Sequence, residues 1–212
     1  MPTIVIATHN KNKANEISAI INNLYTIKTL SEFIDVPKVI EDKNSFAENA
    51  KKKASEIAFW LMQKHLNNIP DYVLADDSGL EVDILNGEPG ILSARYASET
   101  ANENASDAKN NAKLLKKLEG IPQPDRGAQF CCVLALTKVQ KKEIKTFKGI
   151  CRGQISKSET GKGGFGYDPL FIPDGYQKSF AELGSQSKNT ISHRAKALKK
   201  LVNFLINPLE EK

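Results

Sequence analysis

The order of strand-like and helix-like segments is the feature that most constrains how this chain folds. Residues 4–7 form a short apolar run that ends in polar residues, as expected for a buried first strand. Residues 129–137 and 144–155 are also strand-like, and the polar stretch 140–142 joins them, which predicts a long β-hairpin. Because helical segments separate the strands, we expect an α/β fold with a mixed β-sheet and flanking helices.

Four segments carry apolar residues at helical spacing. The clearest begins at Ser45, and Glu48 stands three positions further on, in the arrangement of a capping box. The predicted inner faces are, in chain order, Ile17, Ile20, Ile21 and Leu24; Phe46, Ala50, Ala54, Ile57, Ala58 and Leu61; Ala105, Ala108, Ala112, Leu115 and Leu118; and Ile191, Ala195, Leu198, Leu201, Val202 and Leu205.

Two neighbouring carboxylates, Asp76 and Asp77, follow a buried run at residues 72–75. We expect that strand to end at Asp76, and residues 80–85 to form a further strand. The sequence Asp-Ser-Gly is also good turn chemistry, so a simple turn is the alternative. Adjacent carboxylates repel each other, and Mg²⁺ binds one or two carboxylates together with substrate phosphates. With Glu41, the pair predicts a magnesium site with Asp77 as the leading ligand, and the sequence leaves open whether Asp76 or Asp77 lies nearer the metal.

The length of 212 residues allows one large domain or two lobes around a cleft, and Pro122-Gln123-Pro124 is the predicted boundary between lobes. No apolar run approaches the ~20 residues of a spanning helix, and the three cysteines are an odd number within strand-like segments. We therefore expect a cytoplasmic protein without a membrane partner. The net charge of +5 suits a polyanion, but the basic residues lie largely on helix faces where solvation is expected, so we predict no binding patch there and no stable nucleic-acid partner. These residues are Lys51, Lys52, Lys53, Lys196, Lys199 and Lys200.

The polar segment from Thr8 to Lys13 lies between the first strand and the first helix. Free N–H groups at a helix N-terminus bind anions, and the ammonium of Lys13 adds a charge suited to phosphate. The alternative is an ordinary helix cap by Asn10 or Asn12, with Lys13 in solvent.

The glycine-rich stretch 161–169 matches the pattern G-x-G-x-x-G, but it does not predict a dinucleotide site. That site needs a helix directly after the glycines, and Pro169 disfavours helical geometry at Asp168. Glycine also follows Lys162 where a P-loop has serine or threonine. We expect a flexible loop in which Phe165 stacks on a planar base, a contact worth ~1–3 kcal/mol.

Ser192, His193 and Arg194 begin the last predicted helix, and Lys188 lies a few residues ahead of them. Basic groups at a helix N-terminus oppose the macrodipole, so we expect an anionic or acceptor-rich group to face them. The alternative is a pair of solvent-exposed basic residues.

Six stretches in this order resemble the inosine triphosphate pyrophosphatase family, and the similarity extends from about Thr3 to Leu201. The stretches are T-x-N-x-x-K at 8–13, Glu41 before S-F-x-E-N-A at 45–50, A-D-D-S-G-L at 75–80, P-G-I-x-S-A-R-Y at 89–96, G-G-F-G-Y-D-P at 163–169 and S-H-R at 192–194.

This resemblance implies a single two-lobed domain over residues 1–212 with a central cleft, of the ITPase/Maf-like type, and usually a homodimer. It implies Mg²⁺-dependent hydrolysis of the non-canonical purine nucleotides ITP, dITP and XTP to monophosphate and pyrophosphate, which cleanses the nucleotide pool. Glu41 and Asp77 would bind the metal, and Asp77 would also accept a proton from water. The residues implied at the triphosphate are Thr8, Asn10 and Lys13, with the neighbouring His9, Lys11 and Asn12. Ser78 would also contact the substrate. The residues implied around the base and sugar are Phe165, Gly166, Tyr167, Asp168, Lys188, His193 and Arg194.

One departure from the family pattern is His9, which stands where the family commonly has glycine, so we expect altered affinity for the triphosphate. Two other functions are open to such a chain. A Maf-type pyrophosphatase for other modified nucleotides is similar in architecture, but the S-H-R and F-G-Y-D stretches argue against it. A non-catalytic nucleic-acid-binding protein would not need Glu41 and Asp77.

Overall fold

The structure is a computed structural model and describes residues 1–21, 25–64, 69–100, 103–141 and 143–207. Two residues used in the sequence analysis, Leu24 and Lys142, lie outside this part of the chain. The described strands and α-helices are β1 (Thr3–Ile6), α1 (Lys11–Ile21), β2 (Thr26–Thr29), α2 (Phe46–Lys64), β3 (Tyr72–Val82), α3 (Asp107–Lys117), β4 (Gly127–Lys138), β5 (Ile144–Ile155), β6 (Phe171–Pro173), α4 (Phe180–Ile191) and α5 (His193–Ile206).

The strands are hydrogen-bonded in the order β2-β1-β3-β4-β5-β6. β1 runs parallel to both β2 and β3, whereas β5 and β6 are antiparallel. The sheet is therefore mixed, and the predicted α/β class is confirmed. β4 and β5 are consecutive and adjacent, as the predicted hairpin requires. Within the described residues, no helix combines the length and apolar composition that a membrane span requires.

The chain forms two compact units. The first contains Met1–Asp77, Cys132–Gly149 and Arg194–Lys212, and the second contains Ser78–Cys131 and Ile150–His193. The predicted boundary at Pro122-Gln123-Pro124 is wrong, because this segment lies inside the second unit. The chain passes between units within β3, β4 and β5 and after the first residue of α5, so no proline-rich linker marks these crossings.

Each unit has its own apolar core. In the first unit, α1 and α5 contribute Ile17, Leu198 and Leu201 to a cluster that also contains residues of β1, β3 and β4. In the second unit, aromatic residues dominate, and Phe171 lies 4.7 Å from Phe130 and 5.3 Å from Phe180 between ring centroids. Both cores hold side chains with no solvent exposure, so the elements that carry the candidate site are firmly anchored.

β3 differs from the prediction, because it is one strand that continues through Asp76, Asp77, Ser78 and Gly79. The two carboxylates thus lie within a strand rather than at its end. Residues 80–82 of the predicted second strand belong to β3, and residues 83–85 form a short 3₁₀ turn instead. The glycine serves close packing instead of a turn. A Cβ at Gly79 would lie 2.4 Å from the carbonyl oxygen of Gly90 and 2.4 Å from Oγ of Ser93.

The helices confirm some predictions and correct others. Ser45 caps α2 as predicted, since its Oγ accepts the N–H of Glu48 at 3.2 Å, which is half of the predicted capping box, but the carboxylate of Glu48 accepts the hydroxyl of Ser45 at 2.9 Å. In α3, however, the buried residues are Asn110, Asn111 and Leu114, and the predicted inward alanines at 108 and 112 are exposed. The predicted last helix is two helices, because Ile191 ends α4 and the next helix begins at His193.

Candidate functional site

The first turn of α1 carries the predicted phosphate-binding residues. Asn10 Oδ1 accepts the N–H of Lys13 at 3.1 Å, and Thr8 Oγ1 accepts the N–H of Asn10 at 3.2 Å, so Asn10 caps the helix. His9, Lys11 and Asn12 are exposed beside them. Lys13 does not extend into solvent, because its Nζ lies 2.9 Å from Oδ1 of Asp76.

Asp76 is fully buried at the centre of an ionic network. Nε of Arg194 donates to its Oδ2 at 2.8 Å, and Sγ of Cys132 donates to the same oxygen at 3.1 Å. Arg194 also donates from Nη1 to Glu16. Burial alone would raise the pKa of Asp76, but Arg194 and Lys13 hold that pKa well below its usual value. Asp76 is therefore an ionised carboxylate with both oxygens engaged by the protein, which leaves Asp77 as the better candidate for a metal.

Asp77 has the opposite electrostatics. Burial raises the pKa of its carboxyl to about 6, and the charges of Glu41 and Asp76 add to the rise, while Lys53 and Lys13 oppose it. Its Oδ1 lies 4.0 Å from Nζ of Lys53. A buried carboxylate with this pKa changes its protonation near neutral pH, as a general base does.

Lys53 was predicted to be solvated but is buried. Its Nζ donates to Oε1 of Glu41 at 2.5 Å and to the carbonyl oxygen of Asp76 at 2.5 Å, and only 8% of the residue is exposed. The expectation of a solvated face holds for Lys51, which is exposed, but is wrong for Lys53. Helical spacing could have predicted this burial, because position 53 follows Ala50 by three residues on the buried face of α2.

Glu41 and Asp77 are the residues that could hold a metal. No group of three or more His, Cys, Asp or Glu side chains arranged for a metal ion occurs in the described part of the chain. Two carboxylates nevertheless fit Mg²⁺, which usually takes one or two of them and completes its shell with water and phosphate oxygens. Both carboxylates lie near the ammonium of Lys53, whose Nζ is 2.5 Å from Oε1 of Glu41 and 4.0 Å from Oδ1 of Asp77. The electrostatic potential at this position therefore favours a cation.

A second cluster lies in the glycine-rich loop of the second unit. Nζ of Lys188 donates to Oδ2 of Asp168 at 2.5 Å and lies 4.2 Å from the ring centroid of Phe165. The same carboxylate oxygen accepts the N–H of Phe165 at 2.9 Å. Gly164 adopts a φ of +75°, and a Cβ there would lie 2.2 Å from Asp168, so the loop wraps closely around this ion pair. No helix follows the glycines, as predicted.

α3 fixes the next residue of the loop. Oδ2 of Asp107 accepts the N–H of Gly166 at 2.6 Å, and Nδ2 of Asn111 donates to its carbonyl oxygen at 3.2 Å. Tyr167 is buried and donates its hydroxyl to the carbonyl oxygen of Ser93 at 3.0 Å. Asp107 and Asn111 were not predicted, because apolar periodicity does not reveal a helix whose buried side includes two asparagines, Asn110 and Asn111.

His193 and Arg194 are both buried, so the solvent-exposed alternative is wrong. The imidazole of His193 stacks on Phe130 at 4.7 Å between ring centroids and belongs to the second unit. Arg194 belongs to the first unit, where Asp76 and Glu16 are the anionic groups that the helix N-terminus predicted. Ser78 is partly exposed in β3.

Comparison with known proteins finds one family model and several similar proteins. Residues 4–204 match the model of the Ham1 family. The chain is 47% identical over 206 residues to a dITP/XTP pyrophosphatase of Geobacter sulfurreducens, covering 97% of each chain. It is 45% identical over 203 residues to a dITP/XTP pyrophosphatase of Desulforamulus reducens, covering 95% of this chain and 94% of that one. The solved structure of the Ham1 protein of Staphylococcus aureus superimposes with a TM-score of 0.80 at 43% identity, covering 97% of this chain and 99% of that one.

Proposed function

The chain belongs to the Ham1 family, and on that premise we propose that it is a nucleoside triphosphate pyrophosphatase. Its substrates in this proposal are dITP, XTP and ITP, which it hydrolyses to the monophosphate and pyrophosphate, removing non-canonical purines from the nucleotide pool. The names of the similar dITP/XTP pyrophosphatases support the substrate class. The observation that carries the proposal is the buried carboxylate of Asp77, whose pKa is about 6 and which shares Lys53 with Glu41.

The reaction has two requirements that residues of the first unit can meet. One is charge neutralisation along the triphosphate, and Lys13 in the first turn of α1 supplies a cation with Thr8 and Asn10 beside it. The exposed His9, Lys11 and Asn12 add donors at the same helix end. The imidazole of His9, where the family commonly has glycine, would change the affinity for the triphosphate without ending turnover.

The second requirement is a base for the attacking water. Asp77 is largely ionised at neutral pH because its pKa is about 6, and it remains basic enough to accept a proton. Water that loses its proton to Asp77 attacks the α-phosphorus, and pyrophosphate leaves. Asp76 cannot take this role, since Arg194 and Lys13 hold its pKa well below the usual value.

Glu41 and Asp77 would hold Mg²⁺. A bound Mg²⁺ supplies electrostatic stabilisation of the charge that develops on the phosphates. Lys53 keeps the two carboxylates close to one cation position and lowers the pKa of Asp77.

Residues of the glycine-rich loop, with Lys188, His193 and Arg194, are proposed to contact the base and sugar. Phe165 offers a ring face, and the Asp168–Lys188 pair next to it offers an acceptor and a donor. His193 and Arg194 are proposed to favour the 6-oxo group of hypoxanthine and xanthine over the 6-amino group of adenine, and Ser78 to contact the nucleotide. One unmade buried hydrogen bond costs ~1–3 kcal/mol, which corresponds to about 5- to 150-fold discrimination.

The proposal extends to a cytoplasmic homodimer without a stable nucleic-acid partner. The experiment that tests the activity is a panel of ITP, XTP, dITP, GTP and ATP, each with and without Mg²⁺, in which pyrophosphate and orthophosphate release are measured separately. We expect pyrophosphate from ITP, XTP and dITP, only with the metal. Release of orthophosphate, or equal turnover of ATP, would contradict the proposal.

A further inference from the structure

A lysine-rich face of the first unit has no role in the proposed reaction. Residues 138–148 contain five lysines and a single acid, Glu143, and residues 193–207 contain no acid at all. The whole chain carries a net charge of only +5, so its positive charge is concentrated in these two segments. Such an asymmetry creates a local positive potential that attracts polyanions.

The two segments form one continuous surface. Nζ of Lys200 on α5 donates to the carbonyl oxygen of Lys148 at 2.7 Å, and the ring of Phe147 lies 5.4 Å from that of Phe204 between centroids. Lys196 and Lys199 are exposed on the same helix. The hairpin strand β5 and α5 therefore pack against each other, which brings Lys148 and Lys200 together.

A groove of about 420 Å³ runs through this surface. Its lining combines aromatic rings with ammonium groups, and the residues that matter here are Tyr72, Lys138, Lys141, Glu143, Lys145 and Phe204. Nζ of Lys138 lies 5.7 Å from the ring centroid of Tyr72, and Nζ of Lys145 lies 5.8 Å from that of Phe204. A partly buried ring with an ammonium beside it thus occurs twice in one groove.

We propose that this groove binds single-stranded nucleic acid, weakly and without sequence preference. Each ring would stack on a base and each ammonium would bind a phosphate, which is the combination found in proteins that bind single strands. An anionic membrane is a poorer match, because both rings are partly buried in the wall of the groove and cannot insert into lipid. Binding through phosphate contacts weakens as the salt concentration rises, so we expect a transient complex rather than a stable one.

The test is fluorescence anisotropy of a short labelled single-stranded oligonucleotide with the full chain, at about 50 mM and about 200 mM salt. We expect a Kd between ~10⁻⁴ and ~10⁻⁶ M at the higher salt, and a log–log salt slope near −2 for about three phosphate contacts. The variant Lys138→Glu/Lys141→Glu should weaken binding about tenfold or more, and Tyr72→Leu about fivefold or more. Lys138→Gln/Lys141→Gln is a milder form of the first variant and should weaken binding in the same direction.

The matched control is Lys51→Glu/Lys64→Glu, which makes the same change in net charge at two exposed positions of α2 in the same unit. It should bind almost as well as the unchanged protein, and all variants should melt at similar temperatures. An equal loss in the control would overturn the proposal, because net charge alone would then explain binding. No binding at the lower salt, or binding only to phosphatidylserine vesicles, would overturn it too.

Discussion

Nε of Arg194 lies 2.8 Å from Oδ2 of Asp76, and this ion pair joins residues that are 118 positions apart in the chain. Both side chains are buried, so the pair anchors the first turn of α5 to β3 within the first unit. The opposed charges hold the pKa of Asp76 well below its usual value and raise that of Arg194. The guanidinium therefore has a structural task besides any contact with a nucleotide.

The first prediction concerns the stability that this pair provides. Arg194→Ala leaves the buried Asp76 with Lys13 as its remaining cation, and loss of one partner of a buried pair costs ~3–5 kcal/mol. We expect the free energy of unfolding, measured with urea, to fall by about this amount. Glu16→Gln should cost much less, because it removes a partially exposed partner and leaves the Asp76 pair intact. Equal losses in the two variants would contradict this account.

The same residue tests base recognition. Arg194→Lys keeps a cation near Asp76 but removes the planar fork of donors. If Arg194 contacts the 6-oxo group, the ratio of kcat/KM for ITP over ATP should fall by about 5- to 150-fold. An unchanged ratio in a folded Arg194→Lys protein would assign the preference to other residues, with His193 the next candidate.

Lys53 yields a prediction with a close internal control. Lys53→Met removes the cation that lowers the pKa of Asp77, so that pKa should rise above about 6 and the acidic limb of the pH–rate profile should move to higher pH. Turnover at pH 7 should fall with it. Lys52→Met removes the neighbouring lysine, which pairs with the exposed Asp42 at 2.8 Å, and should leave the profile unchanged. Identical profiles for the two variants would exclude the proposed role of Lys53.

Metal binding should depend on pH with a defined sign. The pKa of Asp77 is raised from 3.8 to about 6, so its carboxyl is protonated below that pH and must lose a proton to bind Mg²⁺. The rise in melting temperature caused by Mg²⁺ should therefore shrink as pH falls from about 7.5 to about 5. Without metal the sign reverses: this carboxyl favours the folded state at low pH, and that stability is lost as pH rises through about 6. Asp77→Asn should lose most of the response to Mg²⁺ and its pH dependence.

The close packing at Gly79 can be tested separately from catalysis. In Gly79→Ala the new Cβ would meet the carbonyl oxygen of Gly90 and Oγ of Ser93, each at 2.4 Å. Overpacking of this kind costs ~1–3 kcal/mol, so the melting temperature should fall. Adding Ser93→Ala removes one of the two clashing atoms and should restore little, since the same serine Oγ accepts the N–H of Leu80 at 2.9 Å. An unchanged melting temperature for Gly79→Ala would show that β3 is not held against this segment.

Sequence patterns predicted those parts of the fold that depend on local chemistry. The helix start capped by Ser45, the hairpin and the absence of a helix directly after Gly166 were all correct, because each follows from a few neighbouring residues. The continuous β3 was not predicted, since Asp-Ser-Gly is good turn chemistry by itself. Gly79 packs closely against Gly90 and Ser93, and this contact with residues 11 and 14 positions further on is not visible in the local turn pattern.

The same distinction holds for the candidate site. Asp77, Glu41 and Lys13 stand in recognisable motifs, but the motifs do not show which side chains contact one another. The pairing of Arg194 with Asp76 joins residues 118 positions apart, and Lys53 reaches Glu41 only because α2 buries that position. Asp107 and Asn111 hold Gly166 through polar contacts that apolar periodicity cannot reveal.

The most direct test of the central claim is pyrophosphate release from XTP by Asp77→Asn in the presence of Mg²⁺, compared with the unchanged protein and Asp42→Asn. General-base catalysis contributes about 10²–10⁴-fold, so we expect at least a hundredfold loss in Asp77→Asn, with a folded protein by circular dichroism. Asp42→Asn, an exposed surface change, should release pyrophosphate at the normal rate. Near-normal turnover by Asp77→Asn would contradict the account, because the buried carboxylate on which it depends would then have no part in the reaction.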